Sequence, residues 1–478
     1  MKLDLEQLLN TQHNLCDLIK KIGQTADRYG IQAYLVGGFV RDLVLNKKNK
    51  DIDIVVVGDG LAFADEISKE LNAYPVVKFQ EFGTAMIPLE QMELEIVSAR
   101  KEVYSVDSRN PKVSFTNLDE DLKRRDFTIN TMAIALNNEE FGEFIDPFKG
   151  ITDLKDEVIV TPLDPKETFF EDPLRMLRAI RFAAQLGFQI EEKTFSAIET
   201  YADRIAIISK ERIRDEFLKI LMSSKPSHGI HLLYQSGLMK ILFPEILELQ
   251  GVDNQGGYKH KDVYLHTLKV LDNVAALNGS QTLRIAALYH DIAKPRTKRF
   301  IKDIGWTFHG HEELGARMFE KFGRQLKLSV KEIKTVEKLI RLHLRPIAVA
   351  NDEVTDSAIR RLIVEAGDDI DALLTLCRAD ITSKNRDRVK KYMSNFELVE
   401  KRIAEVEEKD ALRAFQSPFN GKEIMEMFDL KPGPSVGMIK HHIEEAILEG
   451  EIENNHEAAS DYVEKNKEKL IDLYLRNH

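Results

Sequence analysis

The chain has 478 residues, 43% hydrophobic and 31% charged, which excludes a disordered or fibrous protein and implies two to four domains. A net charge of −11 excludes a uniformly basic nucleic-acid coat, though a local basic groove remains compatible with it. Two distant cysteines, Cys16 and Cys377, exclude a disulfide framework.

Residues 1 to about 28 read as one amphipathic helix. No apolar run is long enough to cross a bilayer and the acidic start lacks a signal-peptide pattern, so a cytoplasmic protein without membrane contact is expected. AYLVGGFVRD predicts strand, turn and helix start; DIDIVVVG predicts a strand, and LAFADEISKELNA a helix. FGTAMIPL and LEIVSA predict two short strands joined by a turn, and FTINTMAIALN a helix that gives way to a strand. From Phe169 onward, 3.6-residue periodicity dominates and strands nearly vanish. GVDNQGGYKHKD predicts a linker or functional loop, and the charged stretch KKYMSNFELVEKRIAEVEEKDALRAF separates a C-terminal unit.

On a strand, side chains two residues apart share a face, so Asp51 and Asp53 project together. Like charges that close repel unless a divalent cation lies between them. Mg²⁺ takes carboxylates together with substrate phosphates, and two such ions can hold an attacking hydroxyl and a leaving oxygen in line. Glu95 is the predicted third carboxylate, with Glu93 on the same strand face as the alternative. Gly37 and Gly38 let backbone N–H groups approach a ligand closely, the helix start after them favours phosphate, and Arg41 lies one turn in. A tight turn and a solvated edge strand would explain either motif alone; the two together, one helix apart, favour a phosphate and metal site.

Four stretches in this order, GGFVRD…DIDIVV, DLKRRDFTINTMA, DPFKGITDL and EDPLRMLRAIRFAAQLGF, resemble the class II nucleotidyltransferases that build tRNA CCA ends and the bacterial poly(A) polymerases of that class. The resemblance covers residues 34 to about 190 and continues more weakly through ISKERIRDE. It implies that Asp51 and Asp53 bind the catalytic metals, and that Arg125, Asp126 and Asn130 contact the sugar and phosphates of the incoming nucleotide. From its local sequence alone, Asp126 would cap a helix with Arg124 and Arg125 solvated.

EDPLRMLRAIRFAAQLGF is a well-punctuated helix, with Asp172 as N-cap, Pro173 at the first helical position and Gly187 at the stop. Capping explains Asp172 structurally, yet Arg175 lies three residues on and on the same side. Cytosine and adenine both present an exocyclic amino donor beside a ring-nitrogen acceptor; uracil and guanine present the reverse. A carboxylate only accepts and a guanidinium only donates, so an Asp–Arg pair suits C and A and rejects U and G. The resemblance implies that Asp172 and Arg175 do this reading. Arg178 and Arg181 continue the stripe, facing either phosphate or solvent.

His260, His266, His290, His309, His311 and His343 fall in one stretch. YLHTLKVL, LYHDIAKP, FHGHEELGA, LHLRP and CRADITS together resemble the HD-domain phosphohydrolases. That resemblance implies one divalent metal on His266, His290, Asp291 and Asp380, and a second on His311 and His343, with His309 the alternative to His311. The ion would be a transition metal of unspecified identity activating water against a phosphoester, for instance at an RNA end. A degenerate domain kept for packing or RNA contact is the other reading. In KPGPSVGMIKHHI, Gly433 and Gly437 free backbone N–H groups at a helix start; this is either a phosphate seat or an ordinary turn, and the resemblance implies tRNA contact.

The expected architecture is α+β: a small mixed α/β nucleotidyltransferase head (1–150), then a mostly helical neck (151–250), an HD domain (251–395) and a C-terminal helical tail (396–478). The expected activity is template-independent addition of C and A to tRNA from CTP and ATP, with Mg²⁺. Poly(A), A-adding and CC-adding enzymes are the alternatives, and an RNA-binding protein with an inactive transferase site is the alternative from another class.

Overall fold

Ile52, Ile54 and Val56 are buried on one face of β2 (Asp51–Val57), and Val55 is buried on the other. This is the pattern of a central strand covered on both sides except at its start, where Asp51 is exposed and Asp53 half-buried. The computed structural model describes residues 13–47, 49, 51–73, 75–90, 92–103, 112–251, 254–255, 258–259, 262–351, 355–382, 385–410 and 415–475, with Leu5. The chain forms two compact units. One runs to Ile220 and includes His228–Leu242; the other comprises Leu221–Ser227 and Phe243 onward.

In the first unit, β1 (Gln32–Val36), β2, β3 (Val77–Phe79), β4 (Thr84–Pro88) and β5 (Glu93–Ser98) join two later strands in a seven-stranded sheet. β6 (Arg100–Val103) and β7 (Lys112–Phe115) form a separate ribbon, and β8 (Ala133–Ala135) and β9 (Phe144–Ile145) complete the sheet in the order β3-β4-β5-β2-β1-β8-β9. The pairing of β2 with β5 is parallel and sets Asp51 beside Glu93 and Asp53 beside Glu95. The helix Gly60–Leu71 starts at Asp59, whose carboxylate accepts from the amides of Leu61 and Ala62, and stops at Asn72 in the left-handed region. On the other face Val55 packs in a cluster with Leu118, Leu122, Tyr34, Val36 and Ala133. Beyond that cover the same strand face carries Asp53 and then Asp51. Helices follow from Pro165, the helix Leu174–Leu186 being mostly buried.

Among its described residues, the second unit is helical apart from two short ribbons, Asn254–Gln255 with Tyr258–Lys259 and Arg299–Ile301 with Gly305–Thr307. Its C-terminal helices close a core of their own around Phe419, Ile424, Ile443 and Val463. The expected α+β architecture therefore holds. Three local expectations change. FTIN forms a single 3₁₀ turn, Thr128–Asn130, before β8, and not a helix. Asp126 caps no helix: the position before that turn is Phe127, which makes no side-chain cap. The charged stretch near residue 396 is one continuous helix, Arg386–Asp410, so the boundary expected at 395 falls inside it. The N-terminal helix is described as His13–Tyr29. Half of the predicted loop GVDNQGGYKHKD lies outside the described residues, His260 included.

Candidate functional site

Gly37 opens the helix Gly37–Val44 with φ of +68°, a conformation that favours glycine. A Cβ at Gly37 would lie 2.8 Å from Arg125 Nη1 and 3.4 Å from Asp53 Oδ2, so a guanidinium and a carboxylate share the space that glycine leaves. No side chain caps this helix start, and Gly38 has only Arg41 Nη2 near it, at 3.7 Å. Burial pushes the Asp53 carboxyl up to about 6; Arg125 opposes this, while the charges of Glu95 and Asp51 add to it. Burial also raises Glu95, opposed by Arg100 and Arg125. Glu95 is half-buried and Glu93 exposed, so Glu95 is the better-placed third carboxylate. Three carboxylates crowded at the start of two parallel strands form a donor set that fits a hard divalent cation.

Arg125 is held by a residue that local sequence reasoning passed over. Asp121 is fully buried and accepts from Arg125 Nε at 3.2 Å and Nη2 at 3.0 Å, and from Arg124 Nη2 at 2.7 Å. Those two arginines, one helical turn on, hold the Asp121 carboxyl below the usual range despite burial. The spacing i, i+3, i+4 was the available signal.

A second network runs inward from the same helix. Arg41 donates to Asn130 Oδ1 at 2.9 Å, and Asn130 donates to Asp126 Oδ1 at 3.0 Å. Asp126 accepts from Arg178 Nε at 2.8 Å and Nη2 at 2.5 Å, and these partners hold it at about 2 against burial. Arg178 and Arg181 both face the buried Glu216, at 3.7 and 3.1 Å, and Arg181 also lies 4.0 Å over the Phe182 ring. Neither arginine is simply solvated.

Asp172 and Arg175 lie one turn apart but do not bond side chain to side chain. The Asp172 carboxylate accepts from the Leu174 amide at 3.1 Å and from Arg212 Nη2 at 2.7 Å. The helix begins at Leu174 with Pro173, not Asp172, at the cap position and no side-chain cap there; Asp172 stands one residue earlier, at the end of the preceding helix, and still accepts from the Leu174 amide. Arg175 is buried and donates to the Arg124 carbonyl at 2.7 Å and to Glu171 at 3.3 Å. Gly187 ends the helix with φ of +80°.

In the second unit, five of six predicted metal ligands sit at helix ends. His290 and His343 follow the helices Gln281–Tyr289 and Val330–Leu342, Asp291 comes next in the chain, His311 opens His311–Gln325, and Asp380 closes Ile370–Asp380. His266 lies in the helix Val263–Ala276. The Nδ1 atoms of His290, His311 and His343 lie 2.8, 2.8 and 2.6 Å from the carbonyls of Ala287, Phe308 and Ile340. Each Nδ1–H donates there, which aims each Nε2 at the centre.

These three Nε2 atoms and Asp291 Oδ1 are buried without a hydrogen-bond partner, as metal-ligating atoms would be. Two ligand groups result: His266, His290 and Asp380, and Asp291, His311 and His343. Asp291 stands between them, with Oδ2 3.3 Å from His290 Nε2 and Oδ1 3.4 Å from His311 Nε2. It therefore groups with the second set as readily as with the first, to which the sequence assigned it. Burial opposes a charge on His290, but Asp291 and Asp380 outweigh it and lift the imidazole to about 10. The cluster's field thus favours a cation, and its mixed imidazole and carboxylate donors fit a divalent transition metal. His309 is exposed and belongs to neither group, which leaves His311. Lys294, not singled out in the sequence, donates to Asp291 Oδ2 at 2.6 Å.

Gly433 precedes the helix Pro434–Glu449 in extended backbone, and no atom lies within 4 Å of a Cβ placed on Gly437. A Cβ on Gly433 would lie 3.8 Å from the Lys431 carbonyl oxygen, so only Gly437 stands in open space.

Residues 33–160 match the family described as "Poly A polymerase head domain", residues 187–249 "Probable RNA and SrmB- binding site of polymerase A", and residues 263–384 "HD domain". An A-adding tRNA nucleotidyltransferase of Deinococcus radiodurans is 33% identical over 443 residues, covering 89% of this chain and 94% of its own length. A CCA-adding enzyme of Enterococcus faecalis is 30% identical over 447 residues, covering 92% and 93%. The structure of the Bacillus stearothermophilus CCA-adding enzyme in complex with CTP shares the fold, with a TM-score of 0.65 at 23% identity over 95% of this chain and 98% of that one. Among the described residues, no helix is long and apolar enough to cross a membrane.

Proposed function

Because this chain belongs to the class II tRNA nucleotidyltransferases and carries an HD domain, we propose that it adds C, C and A to the 3′ end of tRNA from CTP and ATP. The observation that carries this reading is the meeting of Asp53, Gly37 and Arg125 beside Glu95 at the start of β2 and β5. The primer's 3′-hydroxyl oxygen bonds to the α-phosphorus as the bond from that phosphorus to the bridging oxygen breaks, and pyrophosphate leaves. Two Mg²⁺ ions held by Asp51 and Asp53, with Glu95, would stabilise charge on the attacking and leaving oxygens. Arg125 and the helix start at Gly37 and Gly38 hold the triphosphate, while Arg41, Asn130, Asp126 and Arg178 form the wall along sugar and base.

Asp172 and Arg175 read the Watson–Crick edge by exchanging their present partners, Arg212 and Glu171, for the base. One carboxylate and one guanidinium accept C and A alike, so no nucleic-acid template is needed. Gly433 and Gly437 offer a surface for tRNA phosphate.

Incubating tRNA that lacks one, two or three terminal nucleotides with CTP and ATP, singly and together, tests this reading. tRNA lacking all three nucleotides is expected to grow by three only with both substrates present, and tRNA lacking one to grow by a single A from ATP alone. A added to tRNA ending in CC with shorter ends left unchanged would make the chain an A-adding enzyme, growth that stops at CC a CC-adding enzyme, and untemplated A runs a poly(A) polymerase. No addition at all would leave an RNA-binding protein, which the crowding of three carboxylates argues against.

Two substitutions separate base reading from phosphate holding. Arg175→Ala is expected to admit UTP and GTP, since losing one buried hydrogen-bonding partner costs about 1–3 kcal/mol. Misincorporation assayed with all four nucleotides checks this; lost activity without misincorporation would count against the role. Asp121→Asn releases Arg125, and is expected to raise KM for CTP and ATP equally, by about tenfold, with base choice unchanged. Steady-state kinetics with each nucleotide checks it.

The second unit is proposed to be a metal-dependent phosphohydrolase. The orphaned ligand atoms around Asp291 support this.

A further inference from the structure

The ribbon Arg299–Ile301 with Gly305–Thr307 lies in the chain between Asp291 and His311, and the chemistry proposed above leaves it unused. Its antiparallel register sets Phe300 opposite Trp306, so Lys298, Phe300, Trp306 and Phe308 fall on one face. The Phe300 and Trp306 rings meet edge to face at 5.2 Å, and Lys298 Nζ lies 4.5 Å from the Trp306 ring centre. Phe308 has Lys294 Nζ 5.8 Å from its ring centre, and the same ammonium is 2.6 Å from Asp291. Aromatic rings and ammonium groups therefore alternate from the ribbon to the metal ligands. KPRTKRFIK, residues 294–302, carries five basic residues and no acidic one in a chain of net charge −11. Arg296 of these is committed to Glu248, at 3.0 and 2.9 Å, while Arg299 and Lys302 are exposed.

We propose that this ribbon is a docking platform for a single-stranded RNA 3′ end. Bases stack on Trp306 and Phe300, and the terminal phosphate passes Lys298 and Lys294 to the metal centre. Stacking platforms threaded with cations bind single strands, because every base has a π face and every linkage a charge. An acidic peptide would meet the ammonium groups but has no base at every charged linkage to stack on the rings. The proposal names the substrate class of the phosphohydrolase reading and rests on it.

Trp306 is the chain's single tryptophan, so its emission reports this surface alone. The full-length chain loaded with Mn²⁺ is titrated with a short single-stranded RNA ending in a 3′-phosphate, and in parallel with an acidic peptide of equal charge. Saturable quenching by the RNA, and little by the peptide, is expected. Lys298→Ala should weaken RNA binding about tenfold and reduce the salt slope by about 0.7, whereas Arg299→Ala, an exposed position on the opposite face of the ribbon, should leave both unchanged. Unchanged emission with RNA, or equal quenching by the peptide, overturns the platform. Hydrolysis of p-nitrophenyl phosphate in the same sample reports the metal centre separately. Hydrolysis without quenching overturns the platform and leaves the phosphohydrolase reading standing; quenching without hydrolysis supports the platform and removes that reading.

Discussion

Asp53→Asn is expected to abolish nucleotide addition while making the metal-free chain more stable. The loss should reach on the order of 10³-fold, about 4 kcal/mol of transition-state stabilisation, because an amide oxygen brings no charge to a divalent ion. The gain in stability follows from burial. Asp53 titrates at about 6 in the folded chain against an ordinary 3.8, so its burial costs nothing below the ordinary value and the full penalty above about 6. That interval corresponds to roughly 3 kcal/mol. Thermal melting in chelator should therefore show the variant gaining over the parent as pH rises from 4 to 7, with the difference closing when Mg²⁺ is added to the parent. Near-normal addition by the variant, or equal melting at pH 7, would remove Asp53 from the metal cradle.

The double change His290→Ala, Asp291→Ala is expected to empty the second centre. Asp291 faces both ligand groups, through Oδ2 to His266 and His290 and through Oδ1 to His311 and His343, so its loss breaks both at once. Removing His290 with it avoids leaving a buried imidazolium stripped of its main counter-charge. Bound transition metal, measured by elemental analysis, should fall to background together with phosphohydrolysis. Addition to intact tRNA ends should stay within about twofold, since the change touches none of its residues. If the parent chain, loaded in turn with Mn²⁺, Ni²⁺, Co²⁺ and Mg²⁺, hydrolyses no phosphoester, the domain is a structural or RNA-docking remnant.

Features with local causes were legible in the sequence. The alternation of DIDIVVV, the glycine pair at a strand-to-helix turn and the stop at Gly187 each depend on neighbours within one turn or one strand. The types of the second centre's ligands were legible too. What the sequence concealed depends on long-range register and pairing. The pairing of β2 with β5 sets a carboxylate beside each of Glu93 and Glu95, and burial in the sheet, which favours Glu95, is what separates them. Arg178 meets Asp126 across 52 residues and Asp172 meets Arg212 across 40, distances over which periodicity carries no information. The ribbon at Arg299–Thr307 escaped notice because basic and aromatic residues interrupt the apolar alternation and its turn relies on Asp303 in the left-handed region. FTIN was misread because a β-branched apolar run also suits a 3₁₀ turn held by Thr131, whose hydroxyl donates to the Thr128 carbonyl at 2.7 Å.

Three imidazoles of the second centre are oriented by the carbonyl three residues before them. Main-chain oxygens are supplied by every residue type, so no neighbouring codon has to encode an orienting partner for these histidines. The mutational target of the centre is correspondingly small: the ligands themselves, Lys294, and substitutions that break a helix end. His266 is the exception, its Nδ1 lying 2.9 Å from the Thr382 hydroxyl, so Thr382 joins that target. A designer transplanting the centre would need to copy helix termini and their spacing, with little of the surrounding side-chain sequence.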